Sequence, residues 1–206
     1  MEFNIILTIA ILIMSVVIHE VSHGYSAYLL GDNTAKYAGR LTLNPLAHLD
    51  MMGSFIVPLL AYLSVGFVFG WAKPVPYNPY NLRNQKWGDA IVAISGPASN
   101  FIMAIVFGSI IRFSSFLGIT NALFLEAAQM VVLINLVLMI FNLVPIPPLD
   151  GSKILFSLIP YQYIEVRKTI ERYSFLLILL FIFFLWKFVL PIVFTLFSLL
   201  TGLGLY

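Results

Sequence analysis

Residues 16 to 30 read VVIHEVSHGYSAYLL, and this stretch places two histidines and one glutamate inside a run that is otherwise strongly apolar. An ionisable side chain is costly in hydrocarbon unless it has a partner, so such residues inside a membrane span mark functional sites. His19, Glu20 and His23 are therefore the first residues to explain. Whether the run is a membrane span depends on the composition of the whole chain.

The chain has 206 residues, of which 61% are hydrophobic and 10% are Asp, Glu, Lys or Arg, whereas soluble domains carry about 25% charged residues. This composition predicts an integral membrane protein. The formal net charge is only +2 and the basic residues are scattered between apolar runs, which argues against a nucleic-acid-binding protein. Because the chain has no cysteine, any metal must be bound by His, Asp or Glu.

Five apolar segments follow one another along the chain, and a helix needs about 20 residues to cross a bilayer. The segments are residues 3–30, 51–71, 89–111, 122–144 and 173–206. The last segment is too long for one perpendicular span, and Pro191 predicts a break in its helix. The sequence predicts an all-α polytopic membrane protein with four to six transmembrane helices. We expect one domain over residues 1–206, with its core at 1–160 and a C-terminal membrane segment at 161–206.

Two elements that are not simple spans are expected between the first and third apolar segments. Residues 36–45 alternate polar and apolar side chains between turn residues, which predicts a small membrane-associated β-hairpin. Segment 51–71 contains several glycines and a proline at which it can bend, and we expect it to be re-entrant or to lie on the membrane surface.

The histidines have the spacing of a metal site. His19 and His23 are four residues apart, so on a helix both imidazoles lie on one face and can bind a single ion. With Glu20 they form H-E-x-x-H, the pattern of zinc hydrolases in which the glutamate takes a proton from water on the metal. The simpler interpretation is a packed pair of histidines, but the chain has only three histidines and the pair lies in an apolar run.

Catalytic zinc usually takes three protein ligands, so a third ligand must come from elsewhere in the chain. We consider three candidates: Asp150, with His48 and Asp50 as the alternatives. Asp150 follows three prolines that should force an extended stretch, although it could equally cap a helix. His48 and Asp50 lie in a polar loop and could simply be solvated.

Four motifs in the order HEVSH, GRLTLNPLAHLD, SGPASN and NLVPIPPLDG resemble the site-2 protease family of intramembrane zinc metalloproteases. The chain is similar to the compact members that lack PDZ and CBS domains, and the resemblance covers residues 15–155. It implies that His19, His23 and Asp150 bind Zn²⁺ and that Glu20 is the general base.

The same resemblance assigns substrate binding to two asparagines. It implies that Asn142 holds the substrate backbone, and it places SGPASN beside the active site, where we expect Asn100 to orient the substrate. A purely structural interpretation of SGPASN is a helix entry with Pro97 near the first turn and small residues for close packing.

Convergence on one metal constrains the topology. If segment 51–71 crossed the membrane, Asp150 would lie on the opposite side from HEVSH, whereas a re-entrant segment places both on one side. Basic residues concentrate on the cytoplasmic side of a membrane, and in the re-entrant arrangement all of them except Arg112 and Lys187 share the side of the site. We therefore expect the active site to face the cytoplasm, in the plasma membrane of a prokaryote.

The predicted function is zinc-dependent endoproteolysis of transmembrane protein substrates within the lipid bilayer. A substrate helix must unwind before attack, and the edge of the predicted hairpin could hold the unwound strand by β-augmentation. The alternative is a non-proteolytic membrane protein that binds or transports a metal, which predicts paired half-helices or an internal repeat. The sequence shows neither feature.

Overall fold

A computed structural model of the chain describes residues 5–48, 50 and 73–204. Its α-helices in chain order are α1 (Ile5–Leu29), α2 (Thr34–Tyr37), α3 (Gly88–Arg112), α4 (Ala122–Asn142), α5 (Asp150–Leu158), α6 (Ile164–Arg172), α7 (Ser174–Leu180) and α8 (Trp186–Thr201). Short 3₁₀ helices occupy Pro45–His48, Pro79–Asn81 and Tyr161–Tyr163. A π-helical turn, Phe181–Leu185, joins α7 to α8.

Among the described residues, four helical segments are long and apolar enough to cross a membrane. They are Ile5–Leu29, Gly88–Arg112, Ala122–Asn142 and Ser174–Thr201, of which the last comprises α7, the π turn and α8. These spans confirm the prediction of an α-helical integral membrane protein with at least four transmembrane helices.

Helix α3 lies at the centre of the bundle and packs against α1, α4, α5 and α8. His23 and Ser15 of α1 approach Val92 and Asn100 of α3 respectively, so the two helices run antiparallel. Ala104 and Ile111 of α3 share a buried apolar cluster with residues of α4 and α8. This arrangement brings the C-terminal half of α1, the N-terminal half of α3 and the end of α4 to one end of the bundle.

The β-hairpin predicted at residues 36–45 is wrong, because the described residues there form no strand. Asp32 accepts hydrogen bonds from the backbone N–H and the hydroxyl of Thr34, which starts the helical turn α2 instead of a strand. Arg40 is buried and donates to the carbonyl oxygens of Ala47 and Lys73. The polar contacts of Asp32 and Arg40 determine the backbone conformation here more strongly than the alternation of polar and apolar side chains. Because residues 36–45 form no hairpin, they offer no strand edge that could hold a substrate.

The re-entrant element predicted at residues 51–71 lies outside the described residues. The chain positions on either side of it are adjacent, because the Lys73 N–H donates to the His48 carbonyl oxygen at 2.9 Å.

Three expectations that rested on proline are also wrong. Pro97 lies well inside α3, which begins at Gly88, so SGPASN is not a helix entry. Pro191 lies within α8 and does not end it; the irregularity of this span is the π turn that precedes α8. Residues 143–149 are turns rather than an extended stretch. Pro97 and Pro191 remain within helices because, in a membrane, neighbouring helices and apolar surroundings keep a proline-containing segment helical.

Asp32 ties the end of α1 to the loop before α3. Its side chain is fully buried, and besides Thr34 it accepts hydrogen bonds from the Asn78 N–H at 2.7 Å and the Asn81 amide at 2.8 Å. Burial alone would raise the pKa of this carboxyl, but the donated hydrogen bonds from Thr34, Asn81 and Asn78 bring the pKa below its usual range. The ionised carboxylate is therefore the form that holds this loop.

Replacing Asp32 with Ala should release the loop, because several donors would lose a buried charged acceptor. We expect trypsin to cleave after Arg83 or Lys86 at least about ten times faster in detergent-solubilised protein. Thr34→Val, which leaves the loop contacts of Asp32 intact, is the control and should change the rate little. Equal rates for Asp32→Ala and wild type would contradict this assignment.

The lowered pKa of Asp32 also determines how the stability of this loop should change with pH. Its stabilising contribution is present above the usual carboxyl pKa and is lost as the pH falls through the lowered value of the folded state. The rate of trypsin cleavage should therefore show no contribution from Asp32 between about pH 6 and 8.

Candidate metal centre

Three buried side chains from distant parts of the sequence meet at one point. The Nε2 atoms of His19 and His23 lie 3.0 Å apart, and each lies 3.1 Å from Oδ2 of Asp150. The histidines lie one turn apart on α1, as the i, i+4 spacing predicts, and Asp150 is the first residue of α5. Among the described residues, these three form the group whose ligand atoms are close enough to share a metal ion.

Gly151 allows α5 to begin at this point. A Cβ on Gly151 would lie 2.2 Å from the Leu143 carbonyl oxygen and 2.5 Å from that of Val144. Any larger residue would therefore push α5 away from the end of α4. The capping interpretation of Asp150 is wrong in detail, because Leu149 occupies the N-cap position and the Asp150 carboxylate reaches the two imidazoles.

Gly96 has a similar function on the opposite wall, where α3 passes over the imidazoles. A Cβ on Gly96 would lie 2.4 Å from Nε2 of His23 and 2.6 Å from Nε2 of His19. The glycine of SGPASN therefore leaves open the space directly beside both nitrogen atoms. The motif does provide the close packing expected of it, and the packing is against the metal-site histidines.

Hydrogen bonds on the far side of each imidazole identify its tautomer. His23 Nδ1 lies 2.7 Å from the Val92 carbonyl oxygen, and His19 Nδ1 lies 2.6 Å from Oδ1 of Asn100. Both oxygens only accept hydrogen bonds, so both Nδ1 atoms carry the proton. The Nε2 atoms, which remain to bind a metal, then face each other and Asp150.

This donor set fits zinc. Two imidazole nitrogens and one carboxylate oxygen form a common catalytic zinc ligand set, and a tetrahedral ion with bonds of about 2.0–2.1 Å separates its ligand atoms by about 3.3–3.4 Å. The three observed separations of 3.0–3.1 Å are within a few tenths of an ångström of that value. Nδ1–H groups hydrogen-bonded to oxygen are also the usual support of zinc-bound histidines.

A cavity of about 150 Å³ opens onto the triad. Its lining comprises His19, Glu20, His23, Pro74, Val75, Tyr77, Asn142, Pro148, Asp150 and Lys153. Oε2 of Glu20 accepts a hydrogen bond from the Val75 N–H at 2.8 Å, so the backbone after residue 73 orients this carboxylate. Burial, reinforced by the hydrogen bond that Tyr77 donates to Asp89, raises the pKa of Tyr77 above its usual range and keeps its hydroxyl protonated.

The predicted site residues divide into two groups. Asn142 lies in the cavity, and its role in substrate binding stays a prediction. Asn100 is fully buried behind His19 and is not among the cavity-lining residues. Of the other candidate ligands, His48 donates from Nε2 to the Thr42 carbonyl oxygen, and neither His48 nor Asp50 belongs to the triad.

Sequence reasoning missed two contributors to the site. Val75 contributes only its backbone, so no side-chain pattern could reveal it. Asn135 hydrogen-bonds to Asn100 from the middle of α4, and the signal that could have found it is a polar side chain within an apolar span.

Replacing Gly96 with Ala should weaken zinc binding by about 10–100-fold, because the added methyl group displaces both imidazoles. The measurement is zinc affinity of the purified protein by competition with a chelator. Gly108→Ala is a matched control on the same helix, since its Cβ would meet Leu200 Cβ at 2.8 Å, away from the triad. The control should lose stability and keep zinc affinity, and an unchanged affinity in Gly96→Ala would contradict this interpretation.

Comparison with known proteins gives an independent result. Peptidase family M50 matches residues 118–185, which include Asp150 but not the histidines. The chain is 37% identical over 184 residues to the Bacillus subtilis (strain 168) protein named "Putative zinc metalloprotease YwhC", covering 82% of this chain and 76% of that protein.

Two further relatives carry the name Rip2. The Mycolicibacterium smegmatis protein is 32% identical and the Mycobacterium tuberculosis protein 25% identical, each over 146 residues. Each match covers 71% of this chain and 54% of the relative, so the chain spans about half of their length. No solved structure matches. By its similarity to YwhC over most of both chains, the protein belongs to the site-2 protease family of membrane zinc metalloproteases, peptidase family M50.

Proposed function

We propose that the protein is an intramembrane endopeptidase of the HExxH type that hydrolyses peptide bonds of transmembrane protein substrates. The observation that carries this proposal is the position of both triad histidines within α1, a candidate membrane span. His23 and His19 lie six and ten residues before the end of α1, which is about 9–15 Å along the helix. The hydrocarbon core is about 30 Å thick, so a site at this position lies within it.

The chain's own residues supply most of the chemistry. Zinc, when bound, supplies a Lewis acid that polarises a carbonyl group and lowers the pKa of water. His19, His23 and Asp150 would hold that ion, and Glu20 shares their cavity. The Glu20 carboxylate takes a proton from the attacking water and delivers it to the leaving amine. The Val75 N–H holds Oε2 of Glu20, which orients the carboxylate for both transfers.

The cavity has two further polar side chains that suit a peptide substrate. Asn142 donates from Nδ2 to the Leu138 carbonyl oxygen, which leaves Oδ1 to accept a substrate backbone N–H. Lys153 lies 3.8 Å from Oδ1 of Asp150 and over the ring of Tyr77. We assign it to the cavity wall, because its ammonium neutralises the second carboxylate oxygen of Asp150.

The distribution of basic residues supports an orientation with the site toward the cytoplasm of a prokaryotic cell. Helix α3 begins on the side of the triad and ends at Arg112 on the other side. Among the described residues, those before α3 and in α5 and α6 include most of the lysines and arginines. Such loops stay on the cytoplasmic side of a membrane.

Exchanging Glu20 for Gln should keep zinc and abolish cleavage, because an amide cannot accept the proton from water. The assay uses purified protein in lipid vesicles with a pool of transmembrane substrates, together with zinc quantification. His23→Ala should lose both zinc and cleavage. His48→Ala, which removes a buried histidine outside the triad, should keep about one zinc per chain. Cleavage by Glu20→Gln at the wild-type rate would refute the mechanism.

The absence of native cysteine allows a direct test of orientation. Tyr80→Cys lies in an exposed loop on the side of the site, and Ser115→Cys lies in the exposed loop between α3 and α4. In intact bacterial cells, a membrane-impermeant maleimide should label Ser115→Cys at once and Tyr80→Cys only after permeabilisation. The reverse pattern would place the site outside the cell.

A further inference from the structure

Two asparagines form a polar link across the middle of the bundle. Asn100 on α3 and Asn135 on α4 are both 0% exposed, and the Asn100 amide donates to Oδ1 of Asn135 at 2.8 Å. Burying such side chains in a membrane protein is costly unless every polar group is satisfied. Asn100 contacts His19, whereas Asn135 touches neither the triad nor the cavity lining.

The neighbours of Asn135 determine which of its side-chain atoms is the donor and which is the acceptor. Its Nδ2 lies 2.8 Å from the carbonyl oxygen of Val131 and 2.9 Å from Oγ of Ser15. A carbonyl oxygen only accepts hydrogen bonds, so the atom facing Val131 must be the amide nitrogen. The oxygen of Asn135 is thereby turned toward Asn100.

The orientation passes from Asn135 to His19. Because Oδ1 of Asn135 accepts, the Asn100 nitrogen must face it, and that nitrogen also lies 3.4 Å from the Ser15 carbonyl oxygen. The oxygen of Asn100 is then left facing His19 Nδ1 at 2.6 Å. This oxygen only accepts, so His19 must carry its proton on Nδ1 and keep the lone pair on Nε2.

We propose that Asn135 is a positioning residue, which sets the tautomer of His19 through Asn100 and so makes Nε2 available to the metal. We call the hydrogen bonds that run from Asn135 through Asn100 to His19 the relay. The inference rests on the proposed role of His19 as a ligand. His23 needs no such relay, because the carbonyl oxygen of Val92 fixes its tautomer directly. At His19 an asparagine side chain takes the place of that carbonyl, and an asparagine amide has two orientations of similar shape.

Removal of Asn135 therefore has a specific consequence beyond lost stability. Without Asn135, the Asn100 nitrogen keeps only the longer 3.4 Å contact with the Ser15 carbonyl oxygen, so the amide can rotate and present Nδ2 to His19 Nδ1. His19 then accepts at Nδ1 and carries its proton on Nε2, where the proton blocks the metal. The relay thus selects between a binding and a non-binding form of the same histidine.

Two substitutions of Asn135 separate this role from a packing role. Asn135→Leu has a similar volume and no acceptor. Asn135→Asp, with its buried carboxyl protonated, donates to the Val131 carbonyl oxygen and accepts from Asn100, so it preserves the relay. Ser15→Ala is the control, because Asn135 keeps its hydrogen bond to the Val131 carbonyl oxygen. Asn135→Val replaces Asn135→Leu if the leucine variant does not fold.

The first readout is ¹⁵N NMR of histidine-labelled, zinc-free protein, in which the chain's three histidines give few signals. The second is zinc affinity by chelator competition. We expect Asn135→Leu to show the Nε2–H form of His19 and to bind zinc about tenfold more weakly or worse. Asn135→Asp and Ser15→Ala should keep the Nδ1–H form and affinities within about threefold of wild type.

The outcomes distinguish this inference from the proposed function. Wild-type protein that binds no zinc would refute the metal site, while the NMR signals of the zinc-free protein would still test the relay. An unchanged His19 tautomer in Asn135→Leu would overturn the relay. Equal loss of affinity in Asn135→Leu and Asn135→Asp would also overturn it, because a packing defect does not depend on an acceptor.

Discussion

Three electron-pair donors within 3.1 Å of one another are the constraint on which this structure depends. The Nε2 atoms of His19 and His23 face each other and the Asp150 carboxylate, and such a buried group is stabilised when a metal ion or a proton lies among them. The chain must therefore hold mutually repelling atoms together. It does so from outside the triad, through hydrogen bonds behind each histidine and through helix packing.

Two glycines make this arrangement sterically possible, one on each wall of the site. Gly96 lets α3 cross directly over the imidazoles, and Gly151 lets α5 begin against the last turn of α4. Small residues at helix contacts are the usual means by which membrane helices approach closely. Here the close approach decides where ligand atoms lie. The signatures SGPASN and LDG thus describe the shape of the site as much as its chemistry.

The proximity of the two triad histidines was predictable from the sequence because its signal is local, whereas Asp150 was singled out by the family resemblance. The spacing of His19 and His23 depends only on the helical period, and the long apolar runs decide the number of spans. The hairpin at residues 36–45 was mispredicted because Asp32 and Arg40 bind groups at residues 73–81, contacts that no local pattern contains. Pro191 misled for a related reason, since the surrounding bundle overrides the intrinsic preference of proline.

Glu20, the proposed base, and the proposed metal ligands are positioned by different parts of the molecule. The ligands depend on packing among membrane helices, whereas Glu20 is held by the backbone of Val75. The stretch containing Val75 is anchored at both ends by buried charges: Arg40 binds the carbonyl oxygens of Lys73 and Pro74, and Asp32 binds the Asn78 N–H. A charged side chain that satisfies several backbone groups at once fixes an irregular segment that has no ladder of its own. In the proposed mechanism, the polar loops beside the membrane therefore influence proton transfer, and the helices within the membrane influence metal binding.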